Sequence, residues 1–471
     1  MGGTKNRSTG RGSRPRLVVI GLDCVTPQFL FGPWLAEMPN VRRLVEGGMH
    51  GLLVSTIPPI TVPAWMCMMT SKDPGTLGIY GFRNRASYGY GDLFTVNASY
   101  VNEKTVWNHL SRNRLRSIVL GVPLTYPPKP LGGVMVAGFL TPNKEAEYTY
   151  PPELKHRLDE MAGGEYIIDV KDFRNERKQE TLDQIYRMSR ARFTVFRRLV
   201  QEEEWDFAAM VEMGPDRLHH AFWRYCDPTH RLYEPGNPFE NVIRDYYLYM
   251  DEEIGRTLSV LPPETSVIVV SDHGAKGMRG GVCINEFLIQ EGLLAVKAYP
   301  DVRKRLEPDM IDWDHTKAWG DGGYYGRIFL NIEGREPNGQ IPAGEVESFK
   351  RELRAKLEAL GDENGNPIGT RVFFPEDVFR ECRGFPPDMI VYLGDLDWRS
   401  AGSIGNRSLH IFENDTGPDD ANHAREGVFV WHGRGGQVSG YLGQVSIYDL
   451  APSILDFFGV EVPSDMIGKV I

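Results

Sequence analysis

The chain has 471 residues, of which 41% are hydrophobic and 25% charged, so it can bury a large core and is not a disordered polymer. Lys plus Arg is 53 and Asp plus Glu is 63, a net charge of −10, which excludes a long polyanion such as duplex DNA as the natural partner. A small phosphate ester stays open, because bound metal ions can supply positive charge locally. Five cysteines without a CxxC pair (Cys24, Cys67, Cys226, Cys283 and Cys382) exclude a disulfide framework and a zinc ribbon, and fit a reducing cytoplasm.

Residues 1–14 read as a flexible basic tail. Gly2 raises myristoylation, but Asn6 stands where that motif needs Ser or Thr. No apolar run approaches the roughly 20 residues that span a bilayer, so a membrane is not an expected partner; weak attachment of the tail to an anionic surface is the alternative. The first apolar run, Leu17 to Gly21, is short and β-branched and reads as a buried parallel strand ending at Asp23. Ser117 to Gly121, Phe207 to Met213, Ser266 to Val270 and Val428 to Trp431 repeat the pattern. Helical periodicity fills Gln179 to Glu202 and Val242 to Leu261. Strands alternating with helices predict an α/β fold, a doubly wound, mostly parallel sheet flanked by helices. The stretch 285–415 is richer in charge, Pro and Gly, with one amphipathic helix near Val346 to Leu360. It reads as an inserted cap subdomain splitting the catalytic core into 15–284 and 416–471.

Acidic and histidine residues collect where these strands end, which in open α/β sheets is the ligand crevice. Asp23 fits a helix cap and a ligand equally well. Asp216 and His220 are four apart, so a helix presents both on one face, as a surface pair or as two ligands of one ion; adjacent His219 must point elsewhere. Asp272-His273 follows a wholly apolar strand and needs partners or a metal. His423, in ANHAREG, reads by itself as an ordinary loop histidine. Together these are three Asp and three His, a donor set for Zn²⁺, Mn²⁺ or Fe²⁺. With one hydroxyl they fill two sites roughly 4 Å apart, as in-line displacement at phosphorus requires. The hydroxyl candidate is Thr61, bracketed by Pro58, Pro59 and Pro63 at the start of a helical pattern. It reads as an N-cap or, beside the metal cluster, as a nucleophile.

VVIGLD, MPNVRRLVEGG, PPITVPAW, TSKDPGTLGIYGF, PDRLHHAFW, SDHG, NHAREGVFV and the C-terminal YDLAPSILDFFGVEVPSDMIGKVI occur in this order. In them the chain resembles the alkaline phosphatase superfamily, specifically its type I phosphodiesterase and nucleotide pyrophosphatase branch and the cytosolic predicted phosphohydrolases and phosphomutases. The resemblance implies that Asp216, His220 and His423 hold one ion, and Asp23, Thr61, Asp272 and His273 the other. It implies that Thr61 attacks phosphorus and that water hydrolyses the phospho-threonine. The implied activity is phosphodiester or phosphoanhydride hydrolysis on a small phosphate ester, with two divalent ions, Zn²⁺ foremost. A phosphomonoesterase, phosphonate hydrolase or phosphomutase on the same ions is the alternative, and a non-catalytic binding protein would have lost a ligand.

The chain departs from the branch in two places. Its phosphate-contacting asparagine is replaced near Phe82, where Arg83 and Asn84 are the candidate substitutes, and Leu77-Gly78 stands for its usual His-Gly. Lys276 and Arg279 are further phosphate candidates or residues of a solvated loop. The Thr-Val-Pro-Ala-Trp setting sets sulfatases aside, and the threonine sets serine-dependent secreted phosphatases aside. The oligomeric state is not encoded legibly.

Overall fold

The computed structural model describes residues 14–91, 93–433 and 439–471; nearly all of the basic tail, with Gly2 and Asn6, lies outside them. The strands that build the site are β1 (Arg16–Leu22), β2 (Met49–Val54), β3 (Ser117–Leu120), β4 (Gly133–Val136), β5 (Thr149–Tyr150), β6 (Phe207–Glu212), β7 (Thr265–Val270), β8 (Gly274–Gly277), β9 (Ala421–Ala424), β10 (Glu426–His432) and β11 (Gly440–Ser446). Nine of them form one sheet in the order β11-β2-β10-β7-β1-β6-β3-β4-β5. Five pairings are parallel and three antiparallel, so the sheet is mixed but mostly parallel. The mostly parallel sheet matches the expectation, and its strand β10 is antiparallel to both neighbours. It is the chain returning from the insertion, and a returning strand need not follow a crossover helix.

β1, β6 and β7 are buried on both faces, which is why they read as continuous apolar runs rather than alternating ones. β1 lies between the other two, and Gly21 is paired with Val211 on one side and Val270 on the other. The three strands therefore end together, and Asp23, Gly214 and Asp272 leave the sheet at the same edge. The principal helices are α1 (Thr61–Thr70), α2 (Lys178–Glu202), α3 (Gly214–Cys226), α4 (Val242–Val260), α5 (Val346–Glu358) and α6 (Leu450–Phe457). Helices α2, α3 and α4 pack as one group against one another, and α1 packs with α6. The sheet and these helices share one hydrophobic core.

A second core, including Val282, Leu330, Leu353, Val391 and Trp398, belongs to the inserted region. Its four-stranded antiparallel sheet runs Ala318–Asp321, Gly326–Leu330, Met389–Tyr392, Arg371–Phe373, with α5 packed beside it. Val282 and Ile284 are buried in this core as well. The short antiparallel ladder β8–β9 then joins the two sides of the insertion, with Ala275 opposite His423.

Candidate active site

The sheet edge brings the seven residues singled out by sequence into one buried cluster. Asp23, Asp272 and His273 are wholly buried, and Thr61, Asp216, His220 and His423 expose at most 2% of their surface. They form two groups, Asp216 with His220 and His423, and Asp23 with Asp272 and His273; within each, the ligand atoms lie within 4.8 Å of one another. Oγ1 of Thr61 joins the second group, 3.4 Å from Oδ1 of Asp23 and 3.3 Å from Nε2 of His273.

Local structure sets each position. Glu212, at the end of β6, accepts from the Gly214 amide at 2.8 Å and from the Ser189 hydroxyl at 3.0 Å, fixing the start of α3. One turn of α3 then carries both Asp216 and His220, while His219 turns away to the Tyr247 hydroxyl, 3.2 Å from its Nε2. The proline segment before α1 does two things. It delivers Thr61 as the first helical residue, and its Pro59 carbonyl accepts from Nδ1 of His423 at 2.8 Å. No side chain caps α1, because the residue before it is Ile60, and its first turn stays open to an anion.

Each of the six ionisable residues has one polar atom pinned and another turned inward. The Trp65 indole donates to Oδ2 of Asp23 at 2.6 Å, the Cys24 amide to Oδ1 of Asp272 at 3.3 Å, and Arg217 to Oδ2 of Asp216 at 2.6 Å. The imidazoles follow the same rule through Nδ1, which faces an acceptor in all three cases. Those acceptors are Asp419 at 2.8 Å and the Ala421 carbonyl at 3.1 Å for His220, the Gly274 carbonyl at 3.1 Å for His273, and Pro59 for His423. Nδ1 therefore carries the proton, and Nε2 of each presents its lone pair to the centre. Nε2 of His220 and Nε2 of His423 stand only 3.2 Å apart, and Oδ1 of Asp216 and Oδ2 of Asp272 have no hydrogen bond.

Such an arrangement is costly unless a cation occupies its middle. Burial, and then the charges of Asp272 and Asp216, push the Asp23 carboxyl well above its ordinary range; burial does the same to Asp272. Burial lowers His273 to about 4 and pushes His423 well down. For His220 burial is outweighed by Asp419 and Asp216, which raise it to about 9, so a proton stabilises this imidazole where no metal ion does. For Asp216 burial is outweighed by His220 and Arg217, which hold it well below the carboxylate range. The carboxylate and imidazole set fits two divalent ions. Cys24 with His273 and His423 makes a third grouping, but burial pushes that thiol well up, and its sulfur lies 3.5 Å from the Gly274 carbonyl.

Several supporting residues stand outside any motif of the sequence. Asp419 orients His220, and Tyr324 of the inserted region stacks on both the His220 and His423 rings, at 4.7 and 4.3 Å between centroids. Trp65 is one turn after Thr61 on the same helix face, so its spacing from Thr61 was a usable signal. A Cβ at Gly21 would meet its ring at 2.5 Å, so that position must be glycine. Because Trp65 pins Asp23, Trp65→Phe is expected to weaken binding at the Asp23 group by about 10- to 100-fold, with the Asp216 group unchanged. Equilibrium dialysis against Zn²⁺ reads this as one weakened class of site; two unchanged affinities would contradict it.

A cavity of about 1080 Å³ opens over Thr61, Asp216 and His423 and is roofed by the inserted region. Arg83 lines it. The side chain of Asn84 braces its own turn, accepting from the Tyr80 amide at 2.7 Å and donating to the Gly81 carbonyl at 2.9 Å. Lys276 is paired with Asp397 at 2.5 Å and donates to the Asp395 carbonyl. Arg279 is 72% exposed and reaches the same Asp397 at 3.6 Å.

No helix among the described residues is long and apolar enough to cross a membrane. A comparison with curated protein sequences gives no match. Among solved structures the chain is similar to human ectonucleotide pyrophosphatase / phosphodiesterase 5, with 12% identity and a TM-score of 0.54 over 95% of this chain and 96% of that one, a likeness of fold. The family model for type I phosphodiesterase / nucleotide pyrophosphatase matches residues 17–419, a span that contains six of the seven clustered residues and stops four short of His423. The chain belongs to the type I phosphodiesterase / nucleotide pyrophosphatase family of phosphoester hydrolases.

Proposed function

We propose that this protein hydrolyses a phosphodiester or phosphoanhydride bond of a small substrate through a covalent phospho-threonine at Thr61. Two divalent ions serve the reaction, Zn²⁺ matching the donors best and Mn²⁺ or Fe²⁺ being compatible. Asp216, His220 and His423 would hold one ion, and Asp23, Asp272 and His273, with Thr61, the other. The observation that carries the reading is the convergence of pinned carboxylates and imidazoles on two adjacent points beside the Thr61 hydroxyl. Bound there, the ions supply Lewis acidity, lowering the pKa of a hydroxyl or water and offsetting phosphoryl charge.

The chain's own residues do the rest. Asp23 and His273 flank the Thr61 hydroxyl and fix its oxygen beside the ion that they would hold, and the hydroxyl proton leaves to water. The open first turn of α1 receives a phosphoryl oxygen. Thr61 Oγ1 forms a bond to phosphorus as the bond to the leaving oxygen breaks, and that oxygen departs with the electron pair and gains a proton. Water then attacks the same phosphorus, the bond to Thr61 breaks, and the hydroxyl is restored. The roof of the cavity limits the substrate to a small ester and argues against duplex nucleic acid. Five free cysteines, three of them buried, favour a reducing compartment, and we place the enzyme in the cytoplasm.

Chelation followed by refilling tests the reading. Protein stripped of metal is expected to lose hydrolysis of bis-p-nitrophenyl phosphate, and to regain it with about two Zn²⁺ per chain by mass spectrometry. Undiminished turnover by the stripped protein would refute it.

A further inference from the structure

The two ligand groups differ in donor type, in spacing and in charge. The Asp216 group offers one carboxylate and two imidazoles. Its inward atoms make a compact triangle. Oδ1 of Asp216 is 3.2 Å from Nε2 of His220 and 3.7 Å from Nε2 of His423, and the two nitrogens are 3.2 Å apart. Donors on a tetrahedron with bonds of about 2.0 Å, the geometry of Zn²⁺, are about 3.3 Å apart, so this triangle matches one face of such a tetrahedron. The Asp23 group is oxygen-rich, with two carboxylates, the Thr61 hydroxyl and one imidazole. It is also wider on one side: Nε2 of His273 is 3.3 Å from Oδ2 of Asp272 but 4.0 Å from Oδ1 of Asp23.

The surroundings sharpen the contrast. The one carboxylate of the Asp216 group shares its charge with the Arg217 guanidinium at 2.6 Å. Behind His220, Asp419 accepts from Nδ1, and a carboxylate there makes the imidazole a stronger donor. The carboxylates of the Asp23 group are instead pinned by neutral donors, the Trp65 indole and the Cys24 amide. An ion in that group meets two carboxylate charges, and an ion in the Asp216 group meets one that is partly offset. Imidazole nitrogen favours Zn²⁺, whereas carboxylate and hydroxyl oxygen suit harder ions such as Mn²⁺, which are held chiefly by charge. In each group a buried inward oxygen, Oδ1 of Asp216 and Oδ2 of Asp272, has no hydrogen-bond partner and is free for its ion.

We propose that the two positions take different metals. The Asp216 group selects Zn²⁺, and the Asp23 group accepts a harder ion of the Mn²⁺ class, so that the centre is mixed wherever Mn²⁺ is in excess over Zn²⁺. This rests on the two-ion reading above and assigns each ion its own chemistry. The preference for Zn²⁺ over Mn²⁺ is then at least about tenfold greater in the Asp216 group than in the Asp23 group.

Exchange of the Zn²⁺-loaded, full-length protein tests it. The protein is dialysed against rising ratios of Mn²⁺ to Zn²⁺, metals are counted by mass spectrometry, and electron paramagnetic resonance reads the Mn²⁺. The expected result is a plateau at about one Zn²⁺ and one Mn²⁺ per chain, lasting over at least about a tenfold range of the ratio. On the plateau the resonance is that of an isolated Mn²⁺ ion, not of a coupled pair. At the same ratio Asp216→Asn is expected to hold Mn²⁺ as its remaining ion, and Asp272→Asn to hold Zn²⁺. Replacement of both ions in one step, a coupled Mn²⁺ pair on the plateau, Mn²⁺ entering neither group, or the reverse assignment in the variants overturns the proposal. If Asp272→Asn does not fold, the wild-type plateau and Asp216→Asn decide. No turnover enters this test. Stepwise exchange in a protein that hydrolyses no ester would sink the hydrolase reading alone, and a wild type that holds no ions would sink the two-ion reading itself.

Discussion

Thr61→Ala is expected to lower kcat for bis-p-nitrophenyl phosphate by at least about 10³-fold while leaving the fold and the ion content intact. The hydroxyl is the one group of the cluster that can be removed without exposing a buried charge. Asp23 keeps its bond to Trp65 and His273 its bond to the Gly274 carbonyl, so the cage survives and the bond-forming oxygen does not. Thr61→Ser keeps the oxygen and should retain turnover within about a factor of ten. Steady-state kinetics on both variants, with metal analysis, check this. Equal turnover by Thr61→Ala and wild type would assign the attacking oxygen elsewhere.

Asp216→Asn carries the second large effect. The amide can keep one contact to Arg217, which itself stays paired with Asp169 at 2.6 Å, so the scaffold of α3 is preserved. The inward oxygen loses its charge, however, and the remaining partners of that group are two imidazoles. The expected result is about one ion per chain in place of two, with turnover reduced by about 10³-fold or more. Mass spectrometry of the dialysed variant reads the stoichiometry. Two tightly held ions would remove Asp216 from the ligand set.

The sheet and the cluster were legible because of a single physical constraint. A strand buried on both faces must be apolar along its length, so the first charged residue after it marks the edge of the sheet, as Asp23 and Asp272 do. β2 was harder to read, because MHGLLV alternates buried and half-buried positions, and β11 is an edge strand with exposed Tyr441. His423 looked like a loop residue because its meaning depends on β8–β9 pairing across the whole insertion, a contact that no local pattern encodes. Asp419 and Tyr324 escaped for the same reason. Asn84 and Lys276 have partners within the chain, the Tyr80–Gly81 turn and Asp397, that their local sequence does not announce. The resemblance to a known family supplied the grouping of ligands, and the pinned Nδ1 and carboxylate atoms supply a physical reason for it.

The most direct measurement is to quench a reacting mixture of the Zn²⁺-loaded enzyme and bis-p-nitrophenyl phosphate in acid, and to sequence its peptides by mass spectrometry. A phosphoryl group bearing one p-nitrophenyl ester on Thr61, absent from Thr61→Ala, is the predicted result. Sustained turnover with Thr61 unmodified at every quench time, and an unimpaired Thr61→Ala, would contradict the account.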